Sequence, residues 1–513
     1  MKEDVYVINL DRREDRWNLV NNEIMKKSKI LNPIRFSALE GIPSWKYCAL
    51  SHMAIVEMAT EKNLPYVIVM EDDTVIRMDI FDEIFARIMF FLKNYHERWN
   101  IFNGNPSCLG NLPQQELKIV YPYPLLTQYQ YGKTTNFLIY NKSCYQTILN
   151  LREKYLSQLL DDRQYTNLDY EKLAYDHLLC GTISGLKVIT SLPYLTTQRD
   201  GFSDIEKASI SYDLVILDHG MNFATQKLKN EGRIISGKLL GGLGNQMFVL
   251  ATAFSAGIDS GRGLIFPKKN WEPCQYRSVN EYWNTFFKFL YLAFEFPGQV
   301  NRTVVDKENF QFHPFDVKGE LKVIQLDGYF QHIGYFNKHR ADICNFFQPN
   351  EEAVKTLYTK YSWLRSTKDV GQLPEKKVMI HVRQGDYVIK KNYHHNIPLR
   401  YYQKCLAEIK RKYAGVAQLK IVLFSDDISW CRQQNVFKNN VEIFVEGEKD
   451  YLELYMMMQF DVYILANSTF SWWGAYLSQG KVDTGDVYLP AKWLENGKYP
   501  DGLILDGLKK MTY

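Results

Sequence analysis

Short β-rich apolar runs alternate along this chain with longer stretches whose apolar residues recur at helical spacing. Val5-Tyr-Val-Ile-Asn-Leu10 opens one such series. Arg233-Ile-Ile-Ser-Gly-Lys-Leu-Leu240 opens a second and runs straight into a glycine-rich turn. Later strands are predicted at Lys377–His381, Lys420–Phe424 and Asp461–Leu465. The alternation predicts an α/β protein whose parallel sheets are flanked by helices. A polar segment, Gln226–Gly232, separates the two series. It predicts a first domain over 1–215, a linker over 216–232 and a second domain over 233–513.

Bulk properties narrow the class. At roughly 100–200 residues per domain, 513 residues predict about three packing units. Apolar residues at 46% and charged residues at 23% fit an ordinary globular chain. A net charge of +4 does not suggest a nucleic-acid binder, which concentrates basic charge on one face. The eight cysteines include no CxxC pair, so they read as reduced thiols and the expected location is cytoplasmic. The first residues lack the apolar run of a signal peptide, and no run is long enough for a transmembrane helix. Phe286–Phe296 is the nearest candidate and reads as a buried helix. An interfacial patch is the alternative, which leaves peripheral membrane contact open.

In the first half, Val67-Ile-Val-Met drives a predicted strand into Glu71, Asp72 and Asp73. Crowded carboxylates cost free energy unless a cation offsets them. Oxygen ligands favour Mg²⁺ or Mn²⁺, and such an ion suits a diphosphate leaving group. A solvated acidic turn is the bland alternative. In the second half, Gly241-Gly-Leu-Gly-Asn-Gln-Met-Phe248 links a strand to a helix. Its glycines, Gly242 and Gly244 among them, and the neighbouring Asn245 let a ligand approach the helix N-terminus; tight packing is the alternative. His381-Val-Arg-Gln-Gly-Asp386 ends a strand, the place where ligands bind in open α/β sheets. Arg383 suits a diphosphate through its planar fork, unless it only pairs with Asp386. Ala466-Asn-Ser-Thr-Phe-Ser-Trp-Trp-Gly-Ala475 follows another strand and suggests a polar pocket with aromatic walls. Its Asn467 glycosylation sequon is discounted as buried.

Several motifs in order carry two resemblances. Val7–Arg16, Phe36–Gly41, Cys48-Ala-Leu-Ser-His52, Met70–Asp73, Thr135–Tyr140, Asp176-His177 and Gln198–Asp204 make about residues 3–205 similar to glycosyltransferase family 25. That resemblance implies a GT-A-like nucleotide-sugar domain, a UDP-sugar donor (often UDP-galactose) and a Mn²⁺ or Mg²⁺ ion. It would place Asn9 and Arg12 at the nucleotide, with Asp73 the direct metal ligand. Asp176 would be the general base, or else a helix cap or ligand-orienting residue. His52 reads as structural.

Gly241–Phe248, Gly328-Tyr-Phe-Gln331, His381–Asp386, Tyr401-Tyr402, Phe424-Ser-Asp-Asp427 and Asn467–Trp473 make about residues 235–495 resemble glycosyltransferase family 11, the α-1,2-fucosyltransferases. This implies a GT-B-like domain of two Rossmann-like lobes, GDP-fucose as donor and no metal cofactor. His381 and Arg383 would serve the phosphates, Asp386 would support them, and Asn467, Ser468, Thr469 and Ser471 would line the donor pocket. Gln384 departs from the second arginine many members carry, which predicts weaker donor affinity. The expectation is a bifunctional enzyme acting on nucleotide sugars and a glycan acceptor. The alternative is one active fucosyltransferase beside an inactive carbohydrate-binding module.

Overall fold

The computed structural model describes residues 2–513, leaving out 78–79, 113, 159–172, 204–207, 213, 267–281, 283–285, 288–298, 309, 366–372, 390–391, 479–485 and 505–506. The first half supplies β1 (Glu3–Asn9), β2 (Leu31–Ser37), β3 (Tyr66–Glu71), β4 (Thr74–Ile76), β5 (Ile101–Asn103), β6 (Lys118–Tyr121), β7 (Leu125–Tyr129), β8 (Phe137–Asn141), β9 (Val188–Leu192) and β10 (Thr196–Gln198). Eight of them form one sheet in the order β2-β1-β3-β8-β5-β9-β7-β6, while β4 pairs with β10. Helices α1 (Glu14–Lys27), α2 (Ser44–Glu61) and α3 (Phe81–Asn94) cover it. β1 is parallel to β2 and β3, but β8 runs antiparallel to both β3 and β5, and β7 antiparallel to both β6 and β9. The sheet is therefore mixed, not parallel throughout as the alternation predicted. Adjacent β6 and β7 are joined by a short turn, which only antiparallel strands allow.

After a small hairpin of β11 (Gly201–Ser203) and β12 (Ala208–Ile210), the expected linker is helical. A π-type helix (Leu214–Asn222) continues into α4 (Phe223–Glu231). Ile216, Ala224 and Leu228 are buried against the first half's core. The four-residue spacing of Ala224 and Leu228 sets them on one face of α4, so the polar residues between them are only its outer side.

The second half holds two sheets. β13 (Ile234–Gly237), β14 (Gly263–Leu264), β15 (Arg302–Val305) and β16 (Val323–Asp327) pair in parallel in the order β14-β13-β16-β15. β17 (Glu375–Val382), β18 (Gln418–Ser425), β19 (Ile443–Val445), β20 (Val462–Ile464), β21 (Val487–Pro490) and β22 (Leu508–Met511) form the other, also parallel, in the order β19-β18-β17-β20-β21-β22. The predicted strands of this half fall within or on these elements. Between the sheets lie α5 (Leu243–Ser260), α6 (Arg340–Phe346) and α7 (Thr469–Tyr476). Phe286 and Phe287 are buried, Phe286 on Phe347 and Tyr455 and Phe287 on Phe286 and Tyr282. Residues 288–296 of that apolar stretch lie outside the described residues. Among those described, no helix is long and apolar enough to cross a membrane.

The two halves share one core. Asp342 on α6 is buried, and its carboxylate accepts the Tyr95 hydroxyl at 2.7 Å and the Tyr121 hydroxyl at 2.6 Å. Around this junction Tyr121 meets Phe254 edge-on, Tyr123 meets Phe346, and Phe254 stacks on Phe346 at 4.7 Å. Arg87 on α3 donates to the Gln348 carbonyl at 3.1 Å. Removing the carboxylate leaves the buried Tyr121 hydroxyl, and the half-buried Tyr95 hydroxyl, without this acceptor. Asp342→Ala should therefore cost about 2–4 kcal/mol in denaturant unfolding, with fluorescence and circular dichroism reporting one common shift. A change under about 0.5 kcal/mol, the range of ordinary surface substitutions, would show that the seam does not hold the halves together.

Two candidate active sites

In the first half, the C-terminal ends of β1 and β3 and the loop leading into α2 enclose a cavity of about 600 Å³. That volume suits a nucleotide-sized ligand. Glu71, Asp72 and Asp73 line it, facing Arg12, Arg16 and Arg199. The three acids are not equivalent. Glu71 Oε1 accepts Thr135 Oγ1 at 2.7 Å and lies 3.2 Å from His52 Nε2. Burial pushes its carboxyl up, but the hydrogen bonds and charge around it leave it below the usual range. Asp72 accepts Asn9 Nδ2 at 2.7 Å and pairs with Arg16 at 3.3 Å. Burial still holds its carboxyl above the ordinary value. Asp73 accepts only Gln198 Nε2, at 2.9 Å, and its buried Oδ1 has no hydrogen-bond partner among the described residues. Burial, then the charges of Glu71 and Asp72, raise it to about 7. An unsatisfied, buried carboxylate oxygen beside two further acids fits a divalent cation, with Asp73 as its direct ligand.

Asn9 is buried, and its amide is spent on Asp72, the Arg13 carbonyl and Arg35. It holds Asp72 in place and does not line the cavity. Arg12 does line it, with its side chain 58% exposed at the mouth and 3.5 Å from Glu40. Asp176 lies elsewhere, beneath Thr134 and Thr135. One of its oxygens accepts the Thr134 N–H at 3.2 Å and the other the His177 N–H at 2.8 Å. That geometry is a backbone anchor, closer to the orienting role than to a base facing an acceptor. Arg16, Gln198 and Arg199 escaped the sequence reading although each sits inside a motif it quoted. The usable signal was cationic or amide residues flanking an acidic strand end.

In the second half, the C-terminal end of β17 meets the N-termini of α5 and α7. Gly244 is required there: a Cβ would come within 2.7 Å of the Phe470 amide nitrogen. The Asn245 side-chain carbonyl accepts Gln331 Nε2 and Thr469 Oγ1, both at 2.8 Å, and Trp473 Nε1 donates to the Gly244 carbonyl at 2.9 Å. Two helix N-termini, capped by Gly242 and by Ser468, thus converge and favour an anion.

His381 is buried beside Phe470, and its Nδ1 has no partner among the described residues. Burial, then the neighbouring Arg383, lowers its pKa to about 3, so the ring is neutral. Arg383 pairs with Asp426 at 3.0 Å and lies over the Tyr387 ring. Asp426, just after β18, also accepts the Gln384 N–H at 2.8 Å. A Cβ on Gly385 would strike that carboxylate at 2.3 Å, so this position needs glycine. Asp426 is thus one partner of Arg383, while the side chain of Asp386, the partner offered by the sequence, lies outside the described residues. The backbone of Asp386 lies in the short helix Gly385–Ile389.

The Asn467 amide donates to the His395 and Trp493 carbonyls, both at 2.8 Å, and the Tyr387 hydroxyl donates to its carbonyl. These bonds bury the sequon and tie Arg383, through Tyr387, to α7. Ser471 bonds back to the Ser468 carbonyl inside α7. Trp472 and Trp473 are not pocket walls. They are 1% and 0% exposed and pack on Phe248, because α7 turns that face toward α5 between the sheets.

Residues 43–152 match the family model for glycosyltransferase family 25 (LPS biosynthesis protein), and residues 305–492 match that for glycosyl transferase family 11. The chain is 25% identical over 282 residues to an α-1,2-colitosyltransferase of Escherichia coli, an alignment covering 51% of this chain and 93% of that protein. It is 30% identical over 177 residues to the E. coli O-antigen biosynthesis glycosyltransferase WbnK, covering 33% and 54%. A galactoside α-(1,2)-fucosyltransferase 2 of Bos taurus is 26% identical over 253 residues, covering 47% and 68%. Among solved structures, NodZ α-1,6-fucosyltransferase soaked with GDP-fucose aligns at 14% identity and a TM-score of 0.32, covering 48% and 92%.

The raised Asp73 sets a pH dependence with a definite sign. Its folded value of about 7 lies above the ordinary 3.8. The folded state therefore binds the extra proton between these values, and stability falls as pH rises through that window. Metal-free Asp73→Asn should melt above the wild type at pH 8, and the gap should close near pH 4. Millimolar Mn²⁺ should raise the wild-type melting temperature at pH 8 and the variant's far less. Equal melting at pH 8 with no response to Mn²⁺ would remove the cation from this cavity.

Proposed function

We propose that this glycosyltransferase, which joins a family 25 segment to a family 11 segment, carries two working transferase sites. The second transfers L-fucose from GDP-fucose to the 2-hydroxyl of a galactoside. The observation that carries this reading is Arg383 at the end of β17, held by Asp426 beside two converging helix N-termini. All three features stabilise negative charge, and the charge that develops in this reaction is on departing GDP. Asp426 fixes the guanidinium's position at the end of β17. Neutral His381 offers a hydrogen bond to a donor oxygen or hydroxyl without adding charge. The relatives named for α-1,2-colitosyl and α-(1,2)-fucosyl transfer support the linkage and the sugar class.

The first site, in a GT-A-like domain, transfers a hexose, galactose in the leading reading, from a UDP-sugar. Asp73 would hold Mn²⁺ or Mg²⁺, with Glu71 and Asp72 behind it. The ion would neutralise the leaving diphosphate. Arg12, Arg16 and Arg199 face the same cavity and suit the phosphates. The orphaned Asp73 oxygen favours this over an inactive carbohydrate-binding module, which would have no need to bury three acids.

The intact chain tests both assignments. Arg383→Ala should lower fucosyl turnover on the order of 10²–10³-fold, as for loss of one strong transition-state donor. Arg383→Lys should recover part of it, since a point charge replaces a planar fork. Chelation by EDTA should abolish hexosyl transfer and spare fucosyl transfer. Arg383→Ala within about threefold of wild type, or hexosyl transfer at full rate in EDTA, would overturn the corresponding assignment; the 10²–10³-fold expectation sets that scale.

A further inference from the structure

Helix α2 presents Cys48 and His52 four residues apart, a spacing that places both on one face. The end of β3 brings Glu71 against them. One ligand-type atom from each residue lies within 4.8 Å of the other two. His52 Nε2 and Glu71 Oε1 are 3.2 Å apart. Ligands at bonds of about 2.0–2.1 Å around a tetrahedral ion sit about 3.3 Å from one another. That edge of a coordination shell is thus already in place.

The outer contacts are those of a supported site. The Tyr140 hydroxyl lies 3.0 Å from His52 Nδ1, and Tyr175 lies 3.1 Å behind Tyr140. Thr135 donates to Glu71. Such partners fix ring and carboxylate orientation at metal centres. The field favours a cation, since Cys48 lines the cavity together with Glu71, Asp72 and Asp73. A dication bound by a thiolate, a carboxylate and a neutral imidazole carries no net charge, so the ligands and ion together would cost little to bury. His52 is fully buried, whereas Cys48 and Glu71 line the large cavity. The fourth coordination position therefore opens toward the cavity, where water or a ligand oxygen can enter.

We propose that Cys48, His52 and Glu71 form a three-ligand site for a thiophilic divalent cation of the zinc class. The sulfur and imidazole ligands separate it from an all-oxygen magnesium or manganese site at Asp73, because hard cations avoid thiolate. The proposal stands whether or not Asp73 binds an ion of its own.

Cobalt(II) is the probe. The intact chain, stripped with chelator and titrated with Co²⁺, should develop the near-ultraviolet charge-transfer band of a cobalt–thiolate bond, and Zn²⁺ should remove it. Asp73→Asn should retain the band and Cys48→Ser should lose it. A measurement on the wild type alone guards against a variant that fails to fold. Zn²⁺ should slow alkylation of Cys48 by iodoacetamide at least tenfold by peptide mapping, and Mg²⁺ should not. No band at millimolar Co²⁺, a band that survives Cys48→Ser, or alkylation unaffected by Zn²⁺ would each overturn the site.

Discussion

A single buried carboxylate sits where the two halves of this protein meet. Asp342 comes from the second half, and the two hydroxyls it accepts, Tyr95 and Tyr121, come from the first. Burying a charge is expensive unless hydrogen bonds replace its water. Here they do, and the apolar surface around them, from Phe91 to Phe254 and Phe346, completes the seam. The fold follows from this junction. Neither half presents a free face at the seam, and helices 214–231 lie folded on the first half's core. The two candidate sites are thus carried by halves that share one hydrophobic core.

Both sites manage charge at strand ends, in opposite ways. The first gathers three carboxylates at the end of β3, satisfies two of them, and leaves Asp73 raised with one oxygen unpartnered. Arg12, Arg16 and Arg199 line the same cavity. The second gathers positive potential, from Arg383 and two helix N-termini, and anchors it with Asp426. A cation would offset the charge gathered at the first.

Much of this was legible in the residue order. β1, β3, β13, β17, β18 and β20 fall where apolar runs placed them, and the acids and Arg383 end strands as expected. What failed depended on partners distant in sequence. Periodicity reports that a strand is buried but not the direction of its neighbour, so β8 falls on the strand expected at Thr135–Tyr140 while its antiparallel direction was not legible. Composition offered 216–232 as a linker; the structure has it helical, with Ile216, Ala224 and Leu228 on the first half's core. Trp472 and Trp473 looked like pocket walls until the packing of α7 on α5 turned them inward. Asp426 reaches Arg383 from the end of the neighbouring strand, a pairing that no local spacing reveals.

The central claim is that one chain carries two independent transferase sites. The most direct measurement is mass spectrometry of a defined glycan acceptor after incubation with the intact protein. UDP-galactose and GDP-fucose are supplied singly and together, with Mn²⁺ present. The account predicts a hexose increment that requires the UDP-sugar and a deoxyhexose increment that requires GDP-fucose. Asp73→Asn should remove only the first increment and Arg383→Ala only the second. A deoxyhexose increment with no hexose increment from any UDP-sugar would contradict it, and would leave one transferase attached to a silent first half.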